Sequence, residues 1–250
     1  MNTSAELTIV IPTKNESQNL PRLLTSLNMQ DYQGLPDTKV YVADAGSTDE
    51  TVNVARSFAG HFLISIIPGG LPAVGRNAGA RLATTPYVLF IDADIEIADT
   101  SLIRRSLQKM KSRQLHCLTT NIRCADGGFK DHFLYAGNNL VQRMASWAKP
   151  FATGMYMMFD REVYFKLGGF DEKALYAEDY LLTKKVAPRR FGIVGGHILT
   201  TNRRFQKMGH WRVAKMFLNT ALHTFDHSYF LRDQGYWTDF DSSSTQPREL

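Results

Sequence analysis

Leu89-Phe90-Ile91-Asp92-Ala93-Asp94 is the stretch from which the fold can be read. A short apolar run bounded by polar residues suits a strand buried on both faces, and this one delivers two carboxylates at its exit. In extended chain, residues two apart point the same way, so Asp92 and Asp94 would converge. Hard carboxylate oxygens suit Mg²⁺ or Mn²⁺ bound together with substrate phosphates. A lone Asp-x-Asp is also a common solvated turn, and the buried strand before it is what gives the metal reading its weight.

Outward from this strand the same rhythm repeats. Further strands are expected at Leu7–Ile11, Val40–Ala43 and Phe62–Ile67, with Tyr87–Ile91 as the fourth. Leu20, Leu23, Leu24 and Leu27 recur at i, i+3, i+4, i+7 and predict a helix with one buried face. Ser47 and Glu50 have the spacing of a capping box opening a second helix. A third is expected over Arg76–Ala83 and a fourth from Ser101 to Ser112. Strands alternating with helices predict an α/β sheet covered by helices. After Cys117 the rhythm is less regular, with a long helix expected over Asp131–Ala148. Val213, Met216, Phe217, Thr220 and Ala221 place an apolar stripe on a late helix, which could pack on the core or lie on a membrane surface.

Polar residues cluster where these strands end, the place at which open parallel sheets bind ligands. The first turn, Pro12-Thr13-Lys14-Asn15-Glu16, has no glycine. That argues against a dinucleotide-binding turn and against a phosphate-cradling P-loop. The second strand ends Ala43-Asp44-Ala45-Gly46-Ser47, where the carboxylate of Asp44 could accept hydrogen bonds from a base or ribose. Glu178-Asp179 stands before Tyr180-Leu181-Leu182, placing Asp179 at a helix start. A helix N-terminus lowers a carboxylate's pKa and burial raises it, so tertiary structure decides the balance.

The chain has 250 residues, 44% of them hydrophobic, enough for one large core. Two cysteines, Cys117 and Cys124, are too few for a disulfide framework and suit a reduced compartment. No apolar stretch approaches the roughly 18 residues of a membrane span, and the start lacks the pattern of a signal peptide, so a cytoplasmic location is expected. Net charge is +5, but from Lys184 to Lys215 nine Lys or Arg occur with no acid, leaving the remainder at −4. Such a segment could attract a diphosphate, an acidic acceptor or anionic lipid at the inner face of the membrane. Nucleic acid is the weakest of these partners, since no recognised module is present.

In order, Ile9-Val10-Ile11-Pro12-Thr13-Lys14-Asn15-Glu16, Asp44-Ala45-Gly46-Ser47-Thr48-Asp49, Gly75-Arg76-Asn77-Ala78-Gly79, Asp92-Ala93-Asp94, Gly168-Gly169-Phe170-Asp171 and Glu178-Asp179 resemble the signature of the family 2 glycosyltransferases. The ordered set is far more specific than any member of it. The resemblance implies the GT-A fold, a Rossmann-like mixed sheet flanked by helices, in one domain over 1–237 with a polar tail at 238–250. Within it, about 1–115 would bind the nucleotide-sugar and about 116–237 the acceptor. It also implies a hexosyltransferase-like enzyme that uses a UDP- or GDP-linked donor, inverts the anomeric carbon and transfers to a saccharide or lipid-linked acceptor. By the same resemblance Pro12, Thr13, Glu16 and Asp44 would meet the base and ribose and Arg76 the donor. Asp92 and Asp94 would meet the ribose, diphosphate and metal, with Asp94 the direct ligand of Mn²⁺ or Mg²⁺. Asp179 would be the general base.

Arg203 and Arg204, with Lys207 and His210, are expected to close over the diphosphate. His210, beside Trp211, suits packing better than metal ligation. Two departures stand out. Ala43-Asp44-Ala45-Gly46 replaces the family's usual paired aspartates, and the Gln-x-x-Arg-Trp motif of processive synthases is missing, which favours transfer of one sugar at a time. A sugar-phosphate nucleotidyltransferase would be expected to show a Gly-rich, basic first turn. A nucleotide-sugar-binding protein that had lost catalysis would not need intact Asp92, Asp94 and Asp179.

Overall fold

The computed structural model describes residues 5–224 and 226–232, so the tail expected at 238–250 lies outside the described residues. The chain runs through β1 (Leu7–Thr13), α1 (Leu20–Asn28), β2 (Lys39–Asp44), α2 (Thr51–Ser57), β3 (Leu63–Pro68), α3 (Pro72–Leu82) and β4 (Tyr87–Ile91). It continues as β5 (Ile95–Glu96), α4 (Leu102–Arg113), β6 (Cys117–Cys124), α5 (Phe129–Ala145), β7 (Tyr156–Asp160) and α6 (Arg161–Lys166). The remaining elements are α7 (Glu178–Thr183), β8 (Phe191–Thr200), α8 (Arg203–Met208), α9 (His210–Leu222) and α10 (His227–Phe230).

The strands form one mixed sheet in the order β3-β2-β1-β4-β7-β6-β8-β5. β3, β2, β1 and β4 are mutually parallel, and β7 turns antiparallel against β4. The order reverses between β1 and β4, because the chain leaves β3, crosses over through α3 and returns on the far side of β1. Pairing of β1 with β2 runs on to Thr13 and Asp44, whereas pairing with β4 stops at Val10 and Phe90. The carboxyl ends of β1 and β4 therefore diverge and open a crevice at the switch point, the position at which such sheets bind ligands.

The core follows from the pattern. Val88, Leu89, Phe90 and Ile91 of β4 are fully buried, as are Leu20, Leu23, Leu24 and Leu27 of α1. Each such side chain contributes about 2 kcal/mol of burial. Helix α3 lies unusually close to the sheet. A Cβ on Gly79 would come within 2.4 Å of Val10 Cγ1, and one on Gly75 within 3.0 Å of the Ala43 Cβ. Two glycines on one helical face thus let α3 settle onto β1 and β2.

Four expectations are corrected. Ser47 and Glu50 do not form a capping box: Ser47 Oγ donates to Asp44 Oδ1, and the first turn of α2 is held by Asp49, which accepts from Thr51 N at 3.0 Å. β4 ends at Ile91, so Asp92–Asp94 form a turn rather than an extended run. On α9, Val213 is buried but Phe217 is 43% exposed. The basic segment is not one patch. Arg189 and Arg190 precede β8 and Arg203 and Arg204 follow it, which separates the two pairs by roughly 30 Å of strand. No helix among the described residues is long and apolar enough to cross a membrane.

Candidate functional site

The crevice between β1 and β4 is built from carboxyl groups. Glu16 comes from the turn after β1, Asp92 and Asp94 from the turn after β4, and Glu178 and Asp179 from the first turn of α7. Arg76, on α3, ties two of these sources together: Nη2 donates to Asp92 Oδ1 and Nη1 to Glu178 Oε1, both at 2.6 Å. Arg76 as a whole is only 2% exposed, and its guanidinium lies 5.3 Å from the centre of the Phe170 ring. Burial works against its charge, but Asp92, Glu178 and Asp179 outweigh burial and hold it firmly protonated. The close approach of α3 to the sheet is what brings this arginine to the strand ends.

The Gly168-Gly169-Phe170-Asp171 turn supplies the floor. Asn77, next to Arg76, donates from Nδ2 to the Phe170 carbonyl at 2.9 Å and accepts from Phe170 N at 3.1 Å. Gly168 and Gly169 have φ of +91° and +67°, the left-handed region that glycine enters without steric penalty. Asp171 pairs with His227 at 3.0 Å and accepts from Lys173 N at 3.0 Å.

Asp179 is oriented by two backbone donors, Tyr180 N to Oδ1 at 2.7 Å and Gly154 N to Oδ2 at 2.6 Å. Burial pushes its pKa up to about 7, reinforced by neighbouring Glu178 and opposed by Arg76 and the two N–H groups. Burial therefore wins over the helix N-terminus. Gly154 carried no sequence signal, yet a Cβ there would meet Arg76 Nη2 at 2.4 Å.

Arg203, opening α8, closes the opposite wall. It donates to Glu16 at 2.7 Å and to Asp94 at 3.2 Å. Burial raises the pKa of Asp94, as does Asp92, against the pull of Arg203 and Arg204. Burial likewise raises Glu16, against Arg203. Lys207, which follows on α8, is exposed. His210 stacks on Phe205 with ring centres 5.1 Å apart and pairs with Asp131 at 2.8 Å, a packing role.

The residues that follow β1 and β2 are knitted to one another. Both oxygens of Asp44 serve its own loop, accepting from Gly46 N at 3.1 Å and Ser47 N at 2.9 Å as well as from Ser47 Oγ. Thr13 Oγ1 donates to Asp44 at 3.4 Å, and Pro12 packs beneath α3. Asn15, at φ +53°, bridges the two turns by accepting from Thr48 N at 2.8 Å. Ala177, also at φ +53°, immediately precedes Glu178. Left-handed non-glycine residues thus adjoin two of the site's acids, a form of strain that clusters at functional sites.

Known proteins resemble this chain in sequence and in fold. Residues 8–168 match the family model described as glycosyl transferase family 2. Validoxylamine A glucosyltransferase of Streptomyces hygroscopicus is 40% identical over 93 residues, covering 36% of this chain and 22% of that protein. O-antigen chain rhamnosyltransferase RfbN of Salmonella typhimurium is 26% identical over 196 residues, covering 72% and 60%. Among solved structures, the mannosyltransferase PcManGT from Pyrobaculum calidifontis, in complex with GDP-Man and Mn²⁺, superposes with a TM-score of 0.65 at 19% identity over 97% of this chain and 76% of that one. S. aureus TarS 1-349 in complex with UDP-GlcNAc gives 0.63 at 18% identity over 78% and 58%. These likenesses establish a GT-A fold. The chain spans only about a fifth to three-fifths of the length of the two curated relatives.

Proposed function

The chain belongs to glycosyl transferase family 2, and on that premise we propose that it is a non-processive, inverting transferase moving one sugar from a nucleoside-diphosphate donor, UDP- or GDP-linked, to a hydroxyl of a saccharide or lipid-linked acceptor. The observation that carries the reading is Asp179: a carboxyl oriented by two N–H groups and raised to about 7 is a far better proton acceptor at neutral pH than an ordinary aspartate. As the acceptor oxygen bonds the anomeric carbon and the bond to the diphosphate breaks, the hydroxyl proton passes to Asp179. The crevice half, residues 1–115, holds the donor, with Pro12, Thr13, Glu16 and Asp44 on its base and ribose side. Arg76 reaches the donor through Asp92. Residues 116–237 supply the base, the acceptor wall and the arginines of α8.

The site's acids also fit a divalent cation. Five carboxyls face two guanidinium partners, Arg76 and Arg203, and the charge of Arg204. Asp94 is raised because it is dehydrated beside Asp92, a deficit of positive charge that a cation would cancel. Asp92 and Asp94 would hold Mn²⁺ or Mg²⁺, with Asp94 the direct ligand. Among the described residues no group of three or more such side chains is arranged to hold a metal by itself, so donor phosphates would complete the shell. When bound, the ion would neutralise charge on the departing diphosphate.

Replacing Asp94 with Ala should abolish Mn²⁺-dependent binding of the nucleoside diphosphate, measured by calorimetry, with an unchanged circular dichroism spectrum. Undiminished Mn²⁺-dependent affinity would remove Asp94 from the metal site.

A further inference from the structure

Helix α5 buries Tyr135 in the core, yet most of its remaining apolar side chains face outward. Beside Tyr135 its inward face carries Asn138, Asn139 and Gln142, and the amides of Asn138 and Gln142 are buried with no hydrogen-bond partner among the described residues. Its outward face carries Phe129, Phe133, Leu140 and Met144, continued just past the helix by Trp147. These positions fall at i, i+4, i+11, i+15 and i+18, a single stripe at the helical period. Phe129 and Trp147 are each 85% exposed. A helix facing water has the opposite arrangement.

A second stripe lies alongside. The His210–Asp131 pair ties the start of α9 to the start of α5. Trp211, Lys215, Leu218 and Leu222 occupy one outward face of α9 at i, i+4, i+7 and i+11, and Trp211 is 90% exposed. The rim is cationic. Lys130, Arg143, Lys149, Arg212 and Lys215 are exposed around these stripes. Between residues 127 and 159 the one acid is Asp131, which is buried against His210, and residues 180–225 hold none.

From this juxtaposition we infer that the outer faces of α5 and α9 form a docking surface for an anionic lipid bilayer. Apolar and aromatic side chains enter the headgroup boundary, and the cations around them meet lipid phosphates. A second copy of the chain fits the same surface less well, because a two-fold interface sets a patch against itself and would bring the cationic rims together. Helix α8 lies between this surface and the carboxyl crevice, with Phe205 against Tyr135 of α5 and Arg203 reaching Glu16 and Asp94. Docking would therefore hold the crevice near the bilayer, where a lipid-linked acceptor presents its hydroxyl; this last consequence rests on the function proposed above.

The test is sedimentation of the full chain with vesicles of phosphatidylcholine alone or with roughly a third phosphatidylglycerol. The chain should sediment with the anionic vesicles and little with the neutral ones. Leu140→Glu with Trp147→Glu should weaken partition by about 10-fold or more, with the melting temperature and donor binding unchanged because both residues are exposed and outside the crevice. Arg143→Gln should weaken it several-fold at low salt and little at high salt. Absence of vesicle binding, equal binding to neutral and anionic vesicles, or equal binding by the double variant would each overturn the inference. So would a dimer in solution that the double variant dissociates, which would assign the face to a second copy. Donor binding is read separately, so failure here leaves the transferase reading standing.

Discussion

At the scale of single residues, Asp179 is the most consequential. Asn has nearly the same shape but takes no proton, so Asp179→Asn should lower turnover by about 10²–10⁴ with a hydroxyl acceptor while donor affinity stays near wild type. Near-normal turnover would make Asp179 a helix-start residue and send the search to Glu178. Because the base must be ionised, kcat/KM should climb as pH rises through about 7 and the variant should lack that limb. The linked stability runs the other way. A raised carboxyl pKa means that the stability associated with the neutral form is complete below 3.8 and lost as pH rises through about 7. Motif residues were legible because their chemistry is local: a carboxylate after a strand, an acidic pair before a helix. Gly154 was not, since its contribution is a bare N–H brought to Asp179 across the fold.

Among the elements, α3 shows how packing sets the site. Gly79→Ala would force a methyl into Val10, and overpacking of this kind costs about 1–3 kcal/mol. The melting temperature should fall by several degrees, and donor binding should weaken because α3 carries Arg76. Gly137→Ala is the contrasting control. Gly137 lies within α5 with open space where a Cβ would stand, so removing its unfolded-state freedom should raise stability by about 0.4–1 kcal/mol. Equal shifts for the two variants would refute the close-packing account of α3. The elements of the first half were legible from periodicity, as Leu20, Leu23, Leu24 and Leu27 illustrate, whereas the strands β5 to β8 were not. The capping box was misread because Ser47 had a nearer acceptor, Asp44, which only the folded loop supplies.

For the whole molecule, charge placement separates what composition suggests from what the fold uses. Of nine cations between Lys184 and Lys215, the pair at the start of α8 bears on the crevice, Arg203 by direct bonds and Arg204 through its charge on Asp94. Changing both to Ala should raise the donor KM, and the gap from wild type should narrow at high salt as screening shortens the reach of these charges. Unchanged kinetics at low and high salt would make them a solvated face. The sequence by itself determined the fold class, the strand-end positions of Glu16, Asp92 and Asp94, and the helix start at Asp179, because hydrophobic period and turn chemistry are properties of neighbouring residues. Tertiary structure alone decided that Arg76 clamps Asp92 to Glu178, that Arg203 bridges Glu16 and Asp94, and that burial outweighs the helix N-terminus at Asp179. Each of these depends on a contact across 102 to 187 residues of chain, Arg76 with Glu178 and Arg203 with Glu16, or on exclusion of water, and neither is written in local sequence.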